Sequence, residues 1–126
     1  MTAPNIINLR RYNLVSKSNV ISTTNPEVIL ANSANSNILV RVNNITVQNY
    51  ATNGRGANVS LGFVDSNRNT NIRLITRRFL SANTFINFLD DNNTINLEEG
   101  DYLQANVDNI NNIIVIVSYE VISDQI

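Results

Sequence analysis

The chain has 126 residues and a formal net charge of −1; 25 residues are Asn, and there is no Cys, His or Trp. This excludes a disulfide framework, a Cys/His zinc site, a thiol nucleophile and a Ser-His-Asp triad. One domain is expected at this length, and no stretch approaches the roughly 18 apolar residues of a membrane-spanning helix.

The 16 Ile and 12 Val fit pleated, half-buried strands. Asn competes with backbone hydrogen bonding inside helices but suits turns, where it tolerates a positive φ. Ile/Val runs punctuated by Asn therefore predict short strands joined by tight turns. A disordered, Asn-rich tract is rejected because 43% of the residues are hydrophobic and fall into periodic runs. Met1 to Asn5 shows no basic region leading into an apolar segment, so no secretory signal is expected.

Residues 1–19 match neither a helical nor a strand period. They are expected to form an extended N-terminal arm with a short strand near Leu14–Lys17, outside a β-sandwich domain spanning 20–126. Ile6, Ile7, Leu9, Arg10, Arg11 and Tyr12 would lie either on the chain's own sandwich or on a neighbouring subunit. Short strands follow at Val20–Ser22 and Val28–Leu30, with Pro26 marking a turn or an edge. Ile38 to Tyr50 is the longest predicted strand. Ile38, Val40 and Val42 share one parity and Ile45 and Val47 the other, which predicts a β-bulge at Asn43-Asn44.

Asn53-Gly54 reads as a hairpin turn. Further strands are predicted at Val59–Val64, Ile72–Leu80, Thr84–Leu89, Thr94–Leu97 and Tyr102–Val107. The turns between them fall at Asp65–Thr70, Asp90–Asn93 and Glu98–Asp101. Asp108 to Asn111 reads as the last hairpin loop, before a final strand over Asn112–Ile122. There Ile113, Val115, Val117, Tyr119 and Val121 occupy one face, while Ile114, Ile116 and Ile122 occupy the other. A strand apolar on both sides needs both covered. Ile114 and Ile116 therefore join the six arm residues as candidate assembly contacts.

Residues 1–78 carry all nine basic groups and two acids, whereas 79–126 carry eight acids and no base. Either the two halves interleave and the charges mix, or the subunit is polarised and its basic face meets an acidic face of a neighbour. Three N-glycosylation sequons, at Asn44, Asn58 and Asn92, are what chance gives at this composition, and no glycosylation is expected. Asp90-Asp91-Asn92-Asn93 with Glu98-Glu99 lacks the glycine and spacing of an EF-hand loop, so a solvated turn is expected rather than a metal site. Asn53-Gly-Arg-Gly56 is not a phosphate loop, because no Gly-Lys-Ser/Thr follows. Arg73, Arg77 and Arg78 lack the exposed aromatics and basic surroundings of a nucleic-acid sheet reader. No catalytic residue and no cofactor is expected.

Residues 27–122 resemble a widespread type of small bacteriophage virion protein. The resemblance runs through Val28-Ile-Leu-Ala-Asn32, Ile38-Leu-Val-Arg-Val-Asn-Asn-Ile-Thr-Val-Gln-Asn49 and Val59-Ser-Leu-Gly-Phe-Val-Asp65. It continues through the turn Leu97-Glu-Glu-Gly-Asp-Tyr-Leu103 and the closing strand Ile113-Ile-Val-Ile-Val-Ser-Tyr-Glu-Val-Ile122. It implies an antiparallel β-sandwich of the jelly-roll or immunoglobulin-like kind with about eight strands. It further implies a non-enzymatic structural protein present in many copies on the virion, made in the host cytoplasm. The expected partners are other virion proteins, such as major capsid, neck or tail subunits, and further copies of the chain; nucleic acid and membrane are not expected. A head decoration protein docking on coat subunits is the first expectation. A neck, tail or fibre accessory, or a glycan- or receptor-binding module at a fibre tip, is the alternative.

Overall fold

The computed structural model describes residues 9–21, 24–89, 93–108 and 112–124, and side chains within these from 14 to 123. It is all-β. Nine strands run in chain order: β1 (Leu9–Val20), β2 (Glu27–Ala31), β3 (Ile38–Asn49), β4 (Ala57–Asp65), β5 (Thr70–Leu80), β6 (Thr84–Leu89), β7 (Ile95–Leu97), β8 (Tyr102–Val107) and β9 (Ile113–Asp124). They form two antiparallel sheets. The first has the order β1-β9-β3-β6, with β7 also paired to β3; the second has the order β2-β8-β4-β5.

β6 and β7 behave as one interrupted strand. Leu89 pairs opposite Ile45, and Ile95 pairs opposite Val42, farther along β3. With these two counted together, each strand of the first half pairs with its mirror in the second: β1 with β9, β2 with β8, β3 with β6/β7, and β4 with β5. A long antiparallel ribbon rolled into two layers in this way is a jelly roll. The expected bulge is present: the β3–β9 register shifts between Val42 and Asn44. The extra residue there keeps Val40, Val42, Ile45 and Val47 all buried. The break between β6 and β7 lies opposite it.

Between the sheets lies a core of alternating side chains, among them Val42, Ile45 and Val47 of β3, Val59 and Leu61 of β4, Leu103 and Val107 of β8, and Ile113, Val115 and Val117 of β9. Each large apolar side chain so buried contributes roughly 1.5–3 kcal/mol. Five of the six non-glycine residues at positive φ among the described residues are Asn: Asn35, Asn37, Asn69, Asn83 and Asn112. That is the turn role anticipated from composition. The sixth is Arg77, inside β5.

Two loops differ from the sequence reading. Asn53-Gly54 was expected to close a hairpin, but β3 and β4 belong to different sheets, so residues 50–56 form an arch between layers. The connection from β8 to β9 likewise crosses between sheets instead of making the expected hairpin. A turn signal states that the chain reverses; it carries no information about which sheet receives the next strand. Asp90, Asp91 and Asn92, of the predicted turn and the weighed cation loop, lie outside the described residues.

Asn58 and Asp108 clip the start of β4 to the end of β8. The Asn58 side-chain amide donates to the Asp108 carboxylate at 2.7 Å and its backbone N–H donates at 3.0 Å. These bonds, with the Arg77 charge adding to them, hold the Asp108 carboxyl below the usual carboxylate range. A carboxyl more acidic in the folded than in the unfolded chain stabilises above its unfolded pKa, and that contribution is lost as pH falls through the folded value. Asp108→Asn is therefore expected to flatten the decline of stability below about pH 4. Urea unfolding of both proteins between pH 3 and pH 7 measures it; equal slopes would show that the clip is inert.

Candidate functional site

The segment expected as an extended arm, lying on the chain's own sandwich or on a neighbour, belongs to the chain's own sheet from Leu9 onward. β1 pairs with β9 along its length, from Leu9 opposite Asp124 to Val20 opposite Ile114, with one irregularity between Leu9 and Arg11. Asn19 also donates its side-chain amide to the Ile29 carbonyl of β2 at 3.0 Å, tying β1 to the second sheet. The boundary expected between 19 and 20 thus falls within the last two residues of a paired strand. No period shows because side chains 14–18 are exposed on both faces of β1, so neither face is marked as apolar.

Of the candidate contacts, Ile6 and Ile7 lie outside the described residues. Leu9, Arg10, Arg11 and Tyr12 are placed on β1 by their backbone, Tyr12 opposite Ile122. Ile114 and Ile116 point away from the core, since Val115 and Val117 beside them are fully buried and face inward. The structure brings Ile114 and Ile116 together with residues the sequence reading did not single out. Across the outer face of the first sheet, Val20, Ile114, Gln48 and Phe85 form one row, and Ser18, Ile116, Thr46 and Asn87 form the next. At strand spacing, the first row spans roughly 14 Å. Val20 is 54% exposed and Phe85 63%, with Leu14 at 71% farther along β1. Val20 and Phe85 had no local signal of this role, because each sits next to a turn and acquires its neighbours only when four strands align.

The rest of this face is polar and much of it is paired internally, although Asn44 Oδ1, opposite Ser118, is buried without a hydrogen-bond partner. The Ser16 and Ser118 hydroxyls lie 3.2 Å apart, and the Thr46 hydroxyl donates to Asn87 Oδ1 at 2.6 Å. Beyond the bulge, Asn43 Nδ2 donates to Glu120 Oε1 at 2.9 Å, and the Arg41 guanidinium approaches the same carboxylate at 3.8 Å. A basic group of the first half thus meets an acid of the second, as nested pairing requires. The charges do not mix everywhere: β4 and β5 both come from the first half, and their corner keeps Arg73, Arg77 and Arg78 exposed. Among the described residues no three acidic side chains converge on a point that would hold a metal ion. This surface offers exposed apolar area within a largely hydrogen-bonded polar framework, an arrangement suited to contact with another protein. No family model, no curated protein and no solved structure matches the chain.

Proposed function

We propose that this protein is a non-enzymatic structural component of a virus particle, a decoration protein that docks on coat subunits through the outer face of the β1-β9-β3-β6 sheet. The observation that carries the reading is the outward row in which exposed Val20 and Phe85 flank Gln48 and half-buried Ile114, beside the edge of β1 that pairs with no further strand among the described residues. Exposed apolar side chains gathered on one sheet face mark an interaction surface, and an unpaired strand edge is a template for pairing with a further chain. The jelly roll is a fold of viral capsid domains and also of lectins, so the fold permits the role without assigning it. The resemblance to small bacteriophage virion proteins points the same way.

Particles banded on a density gradient from cells producing the protein are expected to contain the chain. The double variant Val20→Lys/Ile116→Lys, which leaves every inward side chain in place, is expected to keep its melting temperature. Losing two apolar contacts lowers affinity for the particle by about a hundredfold. Absence of the parent chain from particles, or equal incorporation of the variant, overturns the proposal. Light scattering of the purified chain at low and high salt separates self-assembly from docking on a different protein.

A further inference from the structure

The outer face of the other sheet has a different chemistry. A groove of about 260 Å³ runs between β8, β4 and β5. Gly62 forms its floor. A Cβ at this position would lie 2.9 Å from Asn71 Oδ1 and 3.5 Å from Gln104 Cγ, so a side chain there displaces the Asn71 amide and narrows the groove. Its walls carry the side-chain amides of Asn71, Gln104 and Asn106, the Ser60 hydroxyl, and the guanidinium-bearing Arg73 and Arg77.

β5 is bent to shape this wall. Its register against β4 shifts twice, between Val59 and Leu61 and between Leu61 and Gly62. Within the first shift Arg77 adopts φ 51, held by its N–H donating to Ser60 Oγ at 2.9 Å. A bulky residue in the left-handed region is strained, and strain of this kind gathers at functional sites.

The polar groups are largely unused by the fold. Among the described residues, neither Arg73 nor Arg77 has a carboxylate within 4.0 Å, and the Asn71 and Gln104 amides make no hydrogen bond. Asn106 Nδ2 makes one long contact, to the Thr24 carbonyl at 3.4 Å. None of the lining side chains is acidic. Asp108, the acid whose carboxyl the Arg77 charge helps to hold low, is engaged by Asn58.

The geometry points to a binding site for a carboxylated sugar, the uronate unit of an acidic polysaccharide. A guanidinium matches a carboxylate with two parallel hydrogen bonds. A side-chain amide offers a donor and an acceptor side by side, which suits vicinal hydroxyls, whereas phosphate accepts only. No aromatic side chain lines the groove, so it lacks the platform on which nucleic-acid bases stack. Its volume lies just under the roughly 300–1,000 Å³ of drug-sized pockets, so it takes one end or one unit of a longer chain. The inference is independent of particle docking, which uses the opposite sheet.

Amide NMR spectra of the full chain, titrated with sodium glucuronate, test it. The Ser60, Gly62, Arg77 and Gln104 amides are expected to shift and to saturate in the millimolar range. Glucose, which lacks the carboxylate, is expected to bind about tenfold more weakly, and Arg73→Ala is expected to weaken glucuronate by a similar factor. Gly62→Ala, with its spectrum otherwise that of the folded parent, is expected to weaken the response by displacing the Asn71 amide. No shift at these amides overturns the proposal. So does an equal response to sodium acetate or inorganic phosphate, which would show a site that reads charge alone, or an unchanged titration in both variants.

Discussion

Asp101→Ala is expected to lower stability by about 2–4 kcal/mol, a fall in melting temperature of roughly 10 °C for a chain of this length. The Asp101 side chain is 3% exposed, among strand ends of both sheets. Its Oδ1 accepts the Ser66 N–H at 3.1 Å, from the turn between β4 and β5, and its Oδ2 accepts the Glu98 N–H at 3.0 Å. Backbone bonds complete the clasp: Asp101 donates its N–H to the Glu98 carbonyl at 3.0 Å and accepts the Asn32 N–H at 2.9 Å. The Ser66 hydroxyl donates to the Gly100 carbonyl. Alanine leaves the backbone bonds possible but strands two N–H donors that now bond an anion. Such charge-assisted bonds are the strong ones, and an unmet buried donor costs more than the bond it replaces. Asp101→Asn keeps one acceptor and turns an amide N–H toward a donor, so it recovers less than half of the loss. Thermal unfolding of the three proteins measures this. An alanine variant melting within about 3 °C of the parent would show that the clasp does not hold this end of the sandwich.

Asn49→Asp is expected to cost more, about 3–5 kcal/mol at neutral pH, and to reverse the acid behaviour of the parent. Asn49 is fully buried at the other end of β3. Its Nδ2 donates to the Arg55 carbonyl at 3.1 Å and to the Leu80 carbonyl at 3.0 Å, while its Oδ1 accepts the Ala51 N–H at 3.0 Å. One side chain thus joins the end of β3, the arch that follows it and the end of β5 in the other sheet. An aspartate is isosteric but directs an anionic oxygen at two carbonyl oxygens in a fully buried site. Only the protonated form can donate there, so burial and the carbonyls raise its folded pKa above the unfolded value. For a group raised in this direction, stability is greatest below the unfolded pKa and is lost as pH rises through the folded one. The variant is therefore expected to gain stability relative to the parent as pH is lowered from 7 to 5. A loss independent of pH would mean that the charge is relieved by local opening.

Asn49 and Asp101 show where reading the sequence stopped. Both were assigned to loops or strand ends, and Asn was read throughout as a turn former. At Asn35, Asn37, Asn69 and Asn83 that reading holds, because a positive φ is a property of the residue and its immediate neighbours; Asn112, expected to open the last strand, instead has positive φ just before β9. At Asn32 and Asn49 it misses the main role. Asn32 donates to the carbonyls of Ile38 and Leu97, both at 2.9 Å, and the second comes from a strand 65 residues away. Nothing local distinguishes an amide that meets such carbonyls from one that meets water.

The same division runs through the whole chain. Strand positions from β2 onward, the bulge after Val42, the turn at Ser66–Asn69 and the inward parity of Val115 and Val117 are legible, since each depends on alternation or turn chemistry over a few residues, whereas β1, Leu9–Val20, replaces the expected short strands near Leu14–Lys17 and at Val20–Ser22. Which strands pair was not legible. The arches after β3 and β8, the pairing of both β6 and β7 with β3, and the docking of β1 on β9 all follow from nested pairing between residues up to the length of the chain apart. The apolar row on one sheet and the amide-lined groove on the other exist only once that pairing is made. Val20 and Phe85, or Gly62 and Arg77, become neighbours through strand order, and strand order is decided by burying the two inner faces against each other.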